Sequence, residues 1–306
     1  MKRELHLCLA AFGALLFSAA VYGGPERPLP AVEHVVIISI DGLRPDCALR
    51  AKMPTLRAMM DVGTFTFWAK TTAIAITLPS HASMVTGVIP NKHNILWNSE
   101  LPFREPVYPR VPTVMEMATK AGYVTAMIAG KMKFTALNKP GTITHVHLPE
   151  NDVGLKNEEV SAEAAKIITS YRPALVFIHF PDVDSVGHNE GWGSGKQIAQ
   201  IEETDEHLAK VFAALDEAKI RDSTIVILTA DHGGAGRTHG ADDPRSRHIP
   251  WIVSGPGVHR NLDLATIADL EVRTEDTCAT ACWLLGLPQL ENFDGHPVYA
   301  AFERGH

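Results

Sequence analysis

Three short segments of the chain concentrate side chains able to hold divalent metal ions. Asp41 follows the apolar run 34–40. Asp184 and His188 stand four residues apart in Asp184-Ser185-Val186-Gly187-His188. Asp231, His232 and His239 fall within Asp231-His232-Gly233-Gly234-Ala235-Gly236-Arg237-Thr238-His239-Gly240. Mixed imidazole and carboxylate sets suit Zn²⁺, with Mn²⁺ or Fe²⁺ as alternatives. Taken singly each segment says little, because Asp-Gly is usually a turn and a lone His usually a hydrogen-bonded structural residue. A fourth segment, Thr77-Leu78-Pro79-Ser80-His81-Ala82-Ser83-Met84-Val85-Thr86-Gly87, reads as a loop entering a helix that stops at Gly87. A hydroxyl at such a helix start serves as an N-cap. Alternatively it is a nucleophile whose pKa a bound metal lowers, at a helix end that favours an anionic phosphoryl group.

Elements that would position these groups follow from the hydrophobic pattern. His34-Val35-Val36-Ile37-Ile38-Ser39-Ile40 is a β-branched run of the kind buried on both faces of a sheet. Tyr123 to Ala129, Ala174 to Phe180, Ser223 to Leu228 and Ile249 to Ser254 read as further strands. Residues 53–61, 112–121, 158–170, 197–218 and 275–286 read as helices, the first two closed by Gly63 and Gly122. The alternation predicts an α/β fold, a mostly parallel central sheet with helices on both faces. In such sheets ligands bind beyond the carboxyl ends of the strands, where Asp41, Asp184 and Asp231-His232 all fall.

Composition narrows the class. The 306 residues are 45% hydrophobic and 21% charged, enough for a sizeable core, and four Cys cannot staple a chain this long. A formal charge of −7 without any Lys/Arg run argues against a nucleic-acid partner. Met1-Lys2-Arg3, the uncharged run from Leu7 to Gly23 and the Pro-rich stretch after it read as a bacterial-style secretory signal over residues 1–23. Residues 24–306 then form one domain, periplasmic or secreted, with no stable membrane span. Cys278 and Cys282 are poorly placed for a mutual disulfide, Cys47 could pair with either, and all three read best as core or structural residues.

Five ordered motifs carry a resemblance: Ile40-Asp41-Gly42-Leu43-Arg44-Pro45-Asp46, Thr77-Leu78-Pro79-Ser80-His81, Asp184-x-x-x-His188, Thr229-Ala230-Asp231-His232-Gly233-Gly234 and His239-Gly240. Together they resemble the alkaline phosphatase superfamily, most closely its type I phosphodiesterase/nucleotide pyrophosphatase family. The similarity runs from Val35 to Asp294-Gly295-His296-Pro297-Val298. The resemblance implies two divalent ions, expected to be Zn²⁺. Asp41, Thr77, Asp231 and His232 would hold one, and Asp184, His188 and His239 the other. It favours His239 over His248 as the last ligand. It also implies that Thr77 attacks phosphorus to give a phosphothreonine intermediate, with Asn98 donating to a nonbridging oxygen.

One segment departs from the nucleotide-binding members. Ala129-Gly130-Lys131-Met132-Lys133-Phe134 resembles phosphonoacetate hydrolase-like and Lys-using phosphomonoesterase members instead. Lys131 and Lys133 could bind the extra charge of a dianionic phosphoryl group, which predicts a lean toward phosphomonoesters or a phosphonate. A phosphodiesterase or nucleotide pyrophosphatase is the alternative enzyme. Sulfatase activity is not expected, because Thr-Leu-Pro-Ser-His stands where that branch carries Cys/Ser-x-Pro-x-Arg. Outside enzymes, an exported metal- or phosphate-binding protein could share the fold, but the nucleophile and all six ligands of the implied set are present.

Overall fold

Seven consecutive buried residues, His34–Ile40, form strand β1, and every side chain in it is covered. Such a strand needs protein on both faces. A computed structural model of the chain describes residues 27–99, 107–240 and 243–303. The expected signal segment 1–23 lies outside the described residues. Further strands are β2 (Thr64–Lys70), β3 (Thr125–Ala129), β4 (His145–His147), β5 (Leu175–Phe180), β6 (Thr224–Thr229), β7 (His248–Ser254) and β8 (Leu262–Asp263). They form one sheet in the order β4-β3-β5-β1-β6-β7-β2-β8. Only β7 runs against its neighbours, pairing antiparallel with both β6 and β2. The sheet is therefore mostly parallel, as the sequence predicts.

Register is what gathers the site. β1 aligns Ser39 with His179 of β5 and with Thr229 of β6, so three strands end at the same level. β3 aligns Ala129 with His179 and ends there too. Asp41, Lys131, Asp184 and Asp231 each emerge within a few residues of that common edge. Each fully buried Val or Ile in these strands contributes about 1.5–3 kcal/mol.

Helices pack around the sheet in two groups. Asn157–Tyr171 lies along Gly195–Glu217, which also meets Pro54–Val62, while Thr77–Thr86 packs on Thr274–Leu284. Observed ends agree with the sequence reading within a few residues. The helix that Thr77 opens does stop at Gly87, whose φ of 71° closes it in the left-handed region.

Several elements escape the pattern reading, among them β4, β8 and the short helix Pro45–Arg50, and two bear on the site. β2, Thr-Phe-Thr-Phe-Trp-Ala-Lys, is rich in Thr and aromatics instead of aliphatic residues. Asp184 and His188 belong to a helix, Asp182–Glu190, which stacks them on one face. Pro250 lies in β7 where the pairing with β2 shifts register between Thr66 and Ala69, a tolerated place for a residue without an N–H. Cys47, Cys278 and Cys282 are buried and free. No helix among the described residues is long and apolar enough to cross a membrane.

Candidate metal centre and nucleophile

The turn after β1 brings the first group together. Gly42 has φ +72°, and a Cβ there would stand 3.0 Å from the Asp184 backbone, so glycine lets the chain pass close to the helix Asp182–Glu190. Its N–H donates to Asp231 Oδ1 at 3.0 Å, and the N–H of His232 donates to the same oxygen at 2.9 Å. The other oxygen, Asp231 Oδ2, is buried without a hydrogen-bond partner. Asp41 repeats the pattern. Its Oδ2 accepts from His179 Nε2 at 2.8 Å and meets Lys131 Nζ at 2.7 Å, while Oδ1 is buried and unpartnered. Asp184 does so again, with Oδ2 accepting from Lys131 Nζ at 2.6 Å and Oδ1 left without a partner.

The imidazoles complement these bare oxygens. His232 Nδ1 lies 2.8 Å from Gly233 O, His239 Nδ1 3.1 Å from Ala75 O, and His188 Nδ1 3.0 Å from Arg237 O. Carbonyl oxygens only accept, so each ring carries its proton on Nδ1 and turns a bare Nε2 inward. Those Nε2 atoms meet the bare carboxylate oxygens. His232 Nε2 is 3.4 Å from Asp41 Oδ1 and 3.2 Å from Asp231 Oδ2. His188 and His239 Nε2 are 3.4 and 3.8 Å from Asp184 Oδ1. Two groups result, Asp41–Asp231–His232 and Asp184–His188–His239, each within 4.8 Å internally. Lone pairs facing lone pairs, fully buried in the Asp41 group and open to solvent at His188 in the other, with every second imidazole nitrogen pinned to the backbone, suit divalent ions. The residues fit the ions that the sequence implies.

Charges say the same. Burial and then the charge of Asp41 push the Asp231 carboxyl well above its usual range. Burial works against Asp41 too, but Lys131 and His179 outweigh it and hold that carboxyl well down. Burial and the charge of Asp41 work against the Asp184 carboxyl as well, but Lys131 holds it low. Burial, then the neighbouring His239 ring, lowers His232 to about 4, so it is neutral at pH 7. The two rings stack with centroids 3.6 Å apart.

Thr77 opens the helix Thr77–Thr86, with Ile76 at the N-cap position, so Thr77 does not take the cap role. Its Oγ1 points at His232 Nε2, 3.5 Å away. Asn98 Oδ1 accepts from Leu78 N at 2.9 Å, which holds the side chain at the helix start through its oxygen. Lys133 Nζ donates to Asn98 O at 2.8 Å. All ten residues singled out in the sequence therefore lie on contacts that join one another or the two groups. His248 does not: it begins β7 and packs edge-on against Trp68.

Sequence reasoning gave no role to three supports. His179 accepts Gly130 N–H at Nδ1 (3.2 Å), which fixes the tautomer that holds Asp41. His81 lies 2.8 Å from both Thr77 O and Ser39 Oγ, beneath the helix start. Trp192 donates Nε1–H to Gly42 O at 2.9 Å and sets its ring edge-on to His188 and His239. The Gly191-Trp192-Gly193 triplet was the one available signal for it.

A mostly parallel sheet carrying His/Asp groups at its strand ends defines an alkaline-phosphatase-like α/β protein, and comparison with known proteins narrows this. Residues 35–240 match the family model described as type I phosphodiesterase / nucleotide pyrophosphatase, and the chain belongs to that family. Residues 195–286 also match a sulfatase model, a stretch without the Thr77 segment. Human ectonucleotide pyrophosphatase/phosphodiesterase family member 5 is 29% identical over 67% of this chain and 45% of its own length. The bis(5'-adenosyl)-triphosphatase enpp4 of Xenopus laevis is 26% identical over 72% and 52%. The chain thus spans about half the length of these curated relatives. Among solved structures, an inactive variant of murine ectonucleotide pyrophosphatase/phosphodiesterase 5 with AMP superposes with a TM-score of 0.74 at 15% identity, covering 88% of this chain and 98% of that one. A 2-O GAG sulfatase reaches 0.72 at 15% identity, covering 92% and 76%.

Proposed function

We propose that the protein is an exported two-metal hydrolase of phosphoric diester or pyrophosphate bonds that uses Thr77 as its nucleophile. The observation that carries this reading is the convergence of two Asp/His groups, linked where His232 Nε2 lies 3.9 Å from Asp184 Oδ1, with Thr77 Oγ1 3.5 Å from the same nitrogen. Asp41, Asp231, His232 and Thr77 would hold one ion and Asp184, His188 and His239 the other, with Zn²⁺ best suited to the donor set. Such ions, when bound, lower the hydroxyl pKa and offset charge on the phosphoryl and leaving oxygens.

The chain's own residues do the rest. The helix start and His81 hold the Thr77 backbone so that Oγ1 faces phosphorus. Oγ1 gives up its proton to solvent and forms the new P–O bond while the bond to the leaving oxygen breaks, and that oxygen departs with the electron pair and takes a proton from solvent. Asn98 donates from its amide nitrogen to a nonbridging oxygen. Water then attacks the phosphothreonine, breaking the P–Oγ1 bond and restoring the hydroxyl. The murine relative was made inactive by a threonine-to-alanine substitution, and other relatives are named for pyrophosphatase and triphosphatase activity. Export is supported by the basic start and the apolar run Leu7–Gly23.

The phosphomonoester lean expected from Lys131 and Lys133 has less support than the diester reading. Lys131 sits on Asp41 and Asp184, and Lys133 on the Asn98 carbonyl, so both ammonium groups already have protein partners. The test compares zinc-loaded protein on bis-p-nitrophenyl phosphate, p-nitrophenyl phosphate and phosphonoacetate, with Thr77→Ala as control. Diester turnover should exceed the other two by about tenfold or more. Faster monoester or phosphonate turnover would return the lysines to substrate binding, and no turnover with zinc bound would leave the binding-protein reading.

A further inference from the structure

The two candidate metal groups are tied together by a residue that belongs to neither. Lys131, just past the end of β3, sets its Nζ 2.7 Å from Asp41 Oδ2 and 2.6 Å from Asp184 Oδ2. These are the far oxygens of the carboxylates whose near oxygens are bare and face the imidazoles. Its side chain is only 17% exposed. The backbone it leaves from is tightly fixed. A Cβ on Gly130 would stand 2.4 Å from the Pro181 ring, and Gly130 O accepts from Leu155 N at 2.9 Å.

We propose that Lys131 is a positioning residue and resident counter-charge: it holds Asp41 and Asp184 with their near oxygens presented, and it lowers the affinity of the site for divalent ions. The inference rests on the two-metal reading above. Asp41, Asp184 and Asp231 gather in a buried space where like charges repel strongly. With no ion bound, the ammonium is the cation seated directly on two of them. Once ions bind, the same ammonium is a like charge at short range, and it repels them. Fixing the carboxylates favours ion binding by preorganisation. At this burial the repulsion is the larger effect, because the ammonium is held on the ligand carboxylates themselves. The loaded site gains one extra positive charge, suited to a transition state more negative than its substrate.

Thermal melting and calorimetric zinc titration of chelator-stripped protein test this, with Lys131→Met removing the charge and Lys131→Arg keeping it. Stripped Lys131→Met should melt below the stripped parent, yet bind zinc about tenfold more tightly and gain more Tm from it. Lys131→Arg should bind within about threefold of the parent. If Lys131→Met folds only with zinc present, that supports the inference in its strongest form. A lysine with a purely structural role would lower Tm equally with and without zinc and leave affinity unchanged or weaker, and that overturns it. Equal tightening in Lys131→Arg overturns it as well. A parent chain that binds no zinc fails earlier and takes the two-metal reading with it, so the two failures are distinguishable.

Discussion

His232 Nε2 and Asp41 Oδ1 face each other across 3.4 Å. The ring spends its single proton on Gly233 O through Nδ1, and Asp41 Oδ1 has no other partner. Burial costs both atoms their water, and a cation shared between them would relieve that cost. His232→Ala should therefore remove one bound zinc, and His188→Ala the other, leaving about one ion per chain in each case. Elemental analysis after dialysis reads the ratio. Unchanged stoichiometry in both variants would refute the assignment of these groups.

Thr77 is 1% exposed and makes its side-chain contact with His232, so its hydroxyl contributes little to packing. Thr77→Ala should lower diester turnover on the order of 10³-fold while Tm and zinc content stay close to the parent. Thr77→Ser keeps an oxygen at the same place and should retain part of the activity. Equal turnover in Thr77→Ala would mean that a water, not this hydroxyl, attacks phosphorus.

How much of this was legible in the sequence follows from where the information resides. β1, β5 and β6 announce themselves because a strand buried on both faces must be apolar throughout, and the ligand segments follow them directly. The partition into two groups came from the resemblance, and the geometry gathers the same residues. His179 was illegible for a physical reason. It lies inside the apolar run of β5 and reads as an exception, and its partner Asp41 is 138 residues away. Only the parallel register of Ser39 with His179 brings them together. Lys131 looked like a substrate residue because nothing in Gly130-Lys131-Met132-Lys133 shows that two carboxylates converge on it.

Trp192 occupies a slot shaped by glycines. Cβ atoms at Gly234 and Gly187 would stand 2.4 and 2.8 Å from its ring. Trp192→Ala should cost about 3–5 kcal/mol of stability. Trp192→Phe should cost less, about 1 kcal/mol for the lost bond to Gly42 O plus some packing. Because the ring edge meets His188 and His239, Gly234→Ala should weaken zinc at the Asp184 group more than at the Asp41 group. Competition with a zinc-sensitive dye on the two single-site variants would separate the groups. Equal weakening at both would remove Trp192 from any specific role.

His93 supports the helix Thr77–Thr86 from its far end, and its burial predicts an acid-sensitive fold. Its Nδ1 accepts from Ile95 N and its Nε2 lies 3.0 Å from Ser83 Oγ, with the ring fully buried. Burial pulls its pKa from 6.5 down to about 4. The folded state therefore binds fewer protons than the unfolded chain between those values. Above pH 6.5 neither state is charged and the group adds no pH dependence. As pH falls from 6.5 toward 4, the unfolded chain protonates first and stability drops. From pH 7.5 to pH 5 the loss assigned to this ring is about 2 kcal/mol. Urea unfolding of chelator-treated parent and His93→Gln at both pH values isolates it, since the other buried imidazoles are common to both proteins. The variant should start less stable at pH 7.5 but lose about 2 kcal/mol less on acidification. Parallel pH profiles would show that His93 stays neutral or charged in both states and that the acid sensitivity lies elsewhere.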